Sequence, residues 1–398
     1  MNARAWVVLL AVGCGAEPVT TEPVASALEG AVEVKDVGSN PGGLRFFLVK
    51  PASVTTPTGL VVALHGCAQR AADFQQVGLD RLAERDGFLV LYPQTSAATG
   101  CFRWFDPNDT TRGRGELASL ENAIARVVQR EGVPPGRVFI TGLSAGAAMA
   151  AAAMAAAPEL FEAGAVFAGV PAGCAKTMSE GLRCQVGVDE TPQTWARAVM
   201  PGSRLPRVQV WTGTLDTTVS PSMAKELVEQ WTAAHGLDLT PEHRESFGRI
   251  SSEEHHRDGG LVVQQVLVEG MGHAVPVAPG KRCGRSAPFI SDVDVCAAEQ
   301  VVRFFGLSSD VTIEPAAPLD AGTAIDAGLP ADAGVACTSE TALPWFHLVA
   351  GRGTRCGFWS TLVCARGSGE LLGASASSLP VTASSFDGVT WSAGPCPR

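Results

Sequence analysis

The chain has 398 residues, 46% hydrophobic and 18% charged, with a formal net charge of −10. That length allows one large domain and a smaller one. The excess of acid argues against a nucleic acid or an anionic membrane surface as partner, because no basic stripe is present to neutralise phosphates; a neutral substrate fits better.

At the N-terminus, Arg4 precedes an apolar run over 6–12 that is too short to span a bilayer and reads as the core of an export signal. The run ends in Leu10-Ala11-Val12-Gly13-Cys14, which resembles a bacterial lipoprotein box whose cysteine is lipidated, although Ala11 stands where leucine is usual. A plain secretory peptide over 1–14 is the alternative, and both predict a secreted or cell-surface protein. Residues 15–40 are polar and contain proline, as expected of a tether. From Leu44 onward, short apolar runs at 44–49, 60–64, 88–92, 138–141, 165–168 and 208–212 predict strands. Stretches at 74–85, 117–131, 145–157, 223–234 and 295–305 repeat their apolar residues near the helical period. This alternation over 41–307 predicts a mostly parallel sheet, joined by right-handed crossovers and covered by helices on both faces. Segments 250–257 and 261–268 flank Asp258-Gly259-Gly260, where a hairpin and a late edge strand are both compatible.

Composition changes after Leu307. Residues 308–336 hold no aromatic side chain and repeat Asp-Ala-Gly at Asp320, Asp326 and Asp332, which predicts an extended, flexible linker. Its carboxylates are too sparse for a calcium shell. Residues 337–398 contain four cysteines and three tryptophans and read as a small, β-rich module that needs disulfides to fold. Of the eleven cysteines, setting Cys14 aside leaves an even ten, none in a C-x-x-C arrangement, so disulfides are expected rather than zinc. Spacing does not determine connectivity; pairing of neighbours is the expectation for Cys67–Cys101, Cys174–Cys184 and Cys283–Cys296.

The chemistry centres on Gly142-Leu143-Ser144-Ala145-Gly146. A β-branched run precedes this G-x-S-x-G sequence and an alanine-rich stretch follows it, the strand–turn–helix context of a nucleophile elbow. Gly142 and Gly146 let strand and helix approach closely, so that Ser144 can present its hydroxyl at a strained turn. A serine needs a base and a group that orients the base. Asp216 follows the run 208–212, and His273 follows 261–268, so both are expected in loops at the carboxyl ends of strands, where open α/β sheets build their sites. Asp189 and Asp258 are weaker alternatives for the acid. His235, His243, His255 and His256 stand in polar contexts and are expected to be solvated, and the adjacent pair His255-His256 makes a poor metal site because neighbouring strand residues face opposite ways. Backbone N–H groups of Cys67 and Ala145 are the expected oxyanion donors, with His65 shaping the turn at Cys67. No metal or organic cofactor is implied.

Several further segments carry a family resemblance. They are His65-Gly66-Cys67-Ala68-Gln69, Val90-Leu91-Tyr92-Pro93-Gln94, Cys101-Phe102-Arg103-Trp104-Phe105, Gly115-Glu116-Leu117-Ala118-Ser119-Leu120, Ala168-Gly169-Val170-Pro171 and Gly270-Met271-Gly272-His273. Together with the elbow, and in this order, they resemble the extracellular poly(3-hydroxybutyrate) depolymerase-like esterases, relatives of feruloyl and acetylxylan esterases. The resemblance implies an α/β-hydrolase fold, a Ser144–Asp216–His273 triad, an oxyanion site near Cys67 and Ala145, and Trp104 in the substrate cleft. It implies an ester substrate, with a polyhydroxyalkanoate or its oligomers expected first and feruloyl or acetyl esters on plant polysaccharide as the alternative; no protein partner is implied. After His273 the chain departs from the family's usual Trp and Gly with Ala274-Val275-Pro276. The tail resembles, more loosely, the substrate-binding modules of secreted polymer hydrolases; tethering such a module raises the enzyme's effective concentration at an insoluble surface.

Overall fold

Alternate residues of each central strand face opposite sides of the sheet, and both sides are apolar, so the strands are buried between two layers. In the strand Leu60–Leu64, for instance, Leu60, Val62 and Leu64 join one core while Val61 and Ala63 join the other. The computed structural model describes residues 28–308, except 202 and 203, and six short strands between 338 and 393. The expected export signal with Cys14, the expected tether as far as residue 27, the expected linker beyond Ser308 and the side chains of the expected C-terminal module lie outside the described residues.

The central sheet has ten strands: β1 (Ala31–Glu33), β2 (Arg45–Val49), β3 (Leu60–Leu64), β4 (Leu89–Gln94), β5 (Val138–Leu143), β6 (Ala163–Phe167), β7 (Arg207–Gly213), β8 (His243–Phe247), β9 (Ile250–Arg257) and β10 (Gly260–Val268). Their order is β1-β2-β4-β3-β5-β6-β7-β10-β9-β8. The run from β4 through β10 is parallel, and antiparallel strands complete both edges. The two readings of 250–268 are thus both realised: β9 and β10 form a hairpin, and β10 is itself the last parallel strand beside β7.

Helices α1 (Ala71–Gln75), α2 (Leu79–Asp86), α3 (Pro107–Thr110), α4 (Gly115–Glu131), α5 (Ala145–Ala156), α6 (Met178–Val186), α7 (Pro192–Ala196), α8 (Ser222–Ala234) and α9 (Ala297–Phe304) cover the sheet. Side chains of α4, α5 and α8 fill one core, and those of α1, α2 and α9 fill the other. The single helix expected over 74–85 is broken at Gly78, whose φ is +94°; a Cβ there would lie 2.7 Å from the Gly284 backbone nitrogen. Periodicity alone cannot register that close approach. Helix α6 escaped the periodicity reading, but its start was written in Thr177-x-x-Glu180: the Thr177 hydroxyl accepts from Glu180 N, and the Glu180 carboxylate accepts from Lys176 N. Two short strands, β11 (Val275–Val277) and β12 (Ile290–Asp292), pair outside the main sheet. All three expected disulfides are present.

Two histidines correct the expectation of solvation. His235 is buried with Nε2 3.0 Å from the Pro206 carbonyl. His255 is buried on β9, because its side chain takes the inward face while His256 takes the other. Burial pushes the pKa of both down. In the C-terminal region, Thr338–Ala342 and Ser392–Ala393 pair with Val381–Ser385, while Gly353–Cys356 and Leu371–Ala374 pair with Leu362–Ala365, all antiparallel, in keeping with a β-rich module.

Candidate active site

Strand β5 delivers Ser144 at its carboxyl end, directly before α5. The serine has φ +56° and ψ −117°, a conformation rare for a residue with a side chain. Two glycines permit it. A Cβ on Gly142 would sit 2.6 Å from the Gly146 carbonyl, and one on Gly146 would lie 2.5 Å from the Leu64 oxygen. The bend is held by hydrogen bonds from Ser144 N to the Phe167 carbonyl, 2.8 Å, and from Ala148 N to the Ser144 carbonyl, 2.8 Å. Because Ser144 caps the N-terminus of α5, the free N–H groups and the dipole of that helix favour negative charge beside its hydroxyl.

The loops after β7 and β10 bring Asp216 and His273 together. Nδ1 of His273 lies 2.7 Å from Oδ2 of Asp216, and Oδ1 of Asp216 accepts from the Thr218 and Val219 amides at 2.8 and 2.9 Å. The carboxylate is therefore buried but fully engaged. The two loops are joined further by two hydrogen bonds from backbone amides. Leu215 N donates to the Met271 carbonyl at 2.9 Å, and Gly270 N donates to the Thr214 hydroxyl at 3.0 Å. Gly213 makes this contact possible, since a Cβ there would overlap the Met271 carbonyl and lie 2.6 Å from the Gly272 oxygen. Asp189 and Asp258, the weaker alternatives, are exposed.

The turn after β3 faces Ser144 from the other side. His65 is fully buried, with Nδ1 2.8 Å from the Gly66 carbonyl and Nε2 accepting from Thr95 N at 3.4 Å. One nitrogen donates and the other accepts, which fits a neutral ring, and burial pushes its pKa down to about 4. Gly66 N donates to the Gln69 side chain at 2.7 Å, whereas the Cys67 and Ala145 amides have no acceptor among the described residues. The Cys67–Cys101 disulfide ties the turn to the segment carrying Arg103 and Trp104. Beneath that segment, the buried Glu116 accepts from Arg103 N at 2.7 Å and from the Thr95 hydroxyl at 3.3 Å. Burial, with Asp109 nearby, pushes the Glu116 carboxyl up to about 7.

Ser144 and His273 line one small pocket, with Gly66, Cys67, Ala68, Leu143 and Phe289. Trp104 is not part of it. Its ring lines a larger cleft of about 140 Å³ along α5, with Ala148, Ala152 and Ala172 among the walls. Three contributors escaped sequence reasoning: Gly213, Gln69 and Phe289. Gln69 stood inside a matched segment, but nothing in the sequence tells that it reaches residue 288. Among the described residues, no cluster of three or more His, Cys, Asp or Glu is arranged to hold a metal, and no helix is long and apolar enough to cross a membrane.

A sheet of parallel strands with a serine elbow and an Asp–His pair at its carboxyl edge defines an α/β-hydrolase of the serine-esterase class. Residues 45–250 match the model of the esterase PHB depolymerase family. Poly(3-hydroxyalkanoate) depolymerase C of Paucimonas lemoignei is 35% identical over 305 residues, which cover 73% of this chain and 74% of that one. Probable acetylxylan esterase A of Aspergillus fumigatus is 31% identical over 258 residues, 62% of this chain and 70% of its own. Among solved structures, the acetyl xylan esterase from Aspergillus awamori superposes with a TM-score of 0.61 at 26% identity, covering 70% of this chain and 99% of that one. The chain belongs to the esterase PHB depolymerase family and is a carboxylic ester hydrolase.

Proposed function

We propose that the protein is an exported serine esterase that works through an acyl-enzyme on Ser144. The observation that carries this reading is the 2.7 Å contact between His273 and Asp216, in a pocket that His273 shares with Ser144. His273 takes the serine proton as the hydroxyl attacks the ester carbonyl, then returns it to the departing alcohol. Water, activated by the same ring, hydrolyses the acyl-enzyme. Asp216 fixes the tautomer with the proton on Nδ1 and stabilises the imidazolium. The Cys67 and Ala145 amides donate to the tetrahedral oxyanion, each such donor lowering the barrier by about 2.7–4 kcal/mol.

The depolymerase relative supports a polyhydroxyalkanoate, or its oligomers, as substrate. Acetyl esters on plant polysaccharide are the second reading, favoured by the Aspergillus structure that this chain covers almost end to end; feruloyl esters come third. Trp104 offers an aromatic wall to a polymer chain, and the C-terminal module a grip on its surface. The three disulfides fit an oxidising, extracytoplasmic compartment, with a lipid on Cys14 as the anchor. Ser144→Ala is expected to reduce p-nitrophenyl acetate turnover by roughly a thousandfold or more. Activity equal to the parent's would remove Ser144 as nucleophile.

A further inference from the structure

Phe289 occupies a backbone position that suits glycine. Residues 287–290 form a tight turn in which Ile290 N donates to the Ala287 carbonyl at 2.9 Å. Pro288 holds the second position and Phe289 the third, with φ +60°. A proline turn with positive φ at its third residue favours glycine or asparagine there. A bulky side chain in that conformation costs roughly 1–3 kcal/mol and persists only where its surroundings over-determine it.

The surroundings do so. Val275 N donates to the Phe289 carbonyl at 2.9 Å, and the buried Gln69 spans the gap to the neighbouring carbonyl. One end of the Gln69 amide accepts from Gly66 N, at 2.7 Å, and the other donates to the Pro288 carbonyl, at 2.5 Å. A single side chain thus joins the turn carrying Cys67 to the turn carrying Phe289. The Phe289 ring stands edge-on to His273, centroids 5.9 Å apart at 77°, and Phe289 is one wall of the pocket at Ser144. That pocket holds about 20 Å³, against the roughly 10–15 Å³ that one water needs. A pocket of that size has room for a small group only.

We propose that Phe289, pinned through Gln69, is the specificity-determining wall that limits the acyl group to acetyl or propionyl. The inference rests on the serine-esterase reading and narrows its substrate class: a small pocket favours short acyl groups such as acetyl, the second substrate reading, over the longer hydroxyacyl chain of a polyester and the feruloyl group. Gln69 is a positioning residue, since it bonds the Pro288 carbonyl of the turn that carries Phe289 and the Gly66 amide of the Cys67 turn.

The test uses the full-length protein and p-nitrophenyl acetate, butyrate and octanoate, with kcat/KM measured for each. The parent is expected to favour acetate over butyrate by about tenfold or more, and over octanoate by a larger factor. Phe289→Gly relieves the backbone and removes the ring, and is expected to bring the butyrate-to-acetate ratio up about tenfold. Phe289→Ala, which keeps a Cβ, is expected to move the ratio the same way, and Gln69→Ala to a smaller extent. A parent that hydrolyses octanoate as fast as acetate would overturn the proposal, as would a ratio unmoved in both Phe289 variants. Those failures are distinct from failure of the esterase reading, which would appear as Ser144→Ala retaining acetate hydrolysis.

Discussion

The two sides of the Ser144 pocket are held by different physics. The Asp216 and His273 loops are joined mainly through backbone: a Leu215–Met271 hydrogen bond, a Gly270–Thr214 contact, and the bare Cα of Gly213 pressed against the Met271–Gly272 peptide. The Cys67 turn opposite is held by side chains: a disulfide to Cys101, the buried His65, Gln69, and the Thr95–Glu116 pair. Backbone junctions tolerate changes of pH and redox state, because nothing in them titrates or reduces. Side-chain junctions do not. The junction between the Asp216 and His273 loops is therefore expected to fail by steric insult, and the Cys67 turn by reduction of its disulfide.

The most damaging test of that contrast is Gly213→Ala. The added methyl meets backbone oxygen rather than a yielding side chain, so the two loops must part. A displacement of about 1 Å at the reacting groups costs roughly a hundredfold in kcat. Measured kcat close to the parent's would show that the loops converge without this contact. Next in size is the paired Cys67→Ser and Cys101→Ser variant, or mild reduction of the parent. Opening a loop with a sequence separation of 34 residues is worth about 4 kcal/mol in the chain-entropy account. Thermal melting is expected to drop by several degrees, with kcat falling more than KM changes. Gly213→Ala should show no such sensitivity to reductant beyond the parent's.

The smallest effect is a dependence on pH. Glu116 rises from 4.5 to about 7 in the folded protein, chiefly through burial. Between those values the native state keeps a proton that the unfolded chain has lost, so this group's contribution to stability falls as pH rises through that window. His65, lowered from 6.5 to about 4, acts in the opposite sense: its contribution is present above 6.5 and is lost as pH falls toward 4. Across pH 4.5 to 6.5 the two slopes oppose each other. Glu116→Gln removes one of them, so the melting temperature of the variant relative to the parent is expected to climb by a few degrees between pH 5 and 7.5. A difference that stays constant with pH would remove Glu116 as the titrating group.

Much of this architecture was legible in the chain. Burial on both faces writes each central strand as a continuous apolar run, and the amphipathic helices write themselves at the 3.6 period. The small residues around Ser144 mark a close crossing, because only glycine leaves room for it. Spacing left the cysteine connectivity open, and the expectation that neighbours pair is met at Cys67–Cys101, Cys174–Cys184 and Cys283–Cys296. What sequence could not convey was reach. The break at Gly78 depends on Gly284, the junction of the Asp216 and His273 loops on Gly213, and the turn carrying Phe289 on a glutamine bonded to Pro288 from 219 positions away. Local periodicity and turn chemistry are properties of adjacent residues and survive in one dimension. A close approach between distant backbones, or a side chain spanning two loops, exists only once the sheet has brought them together.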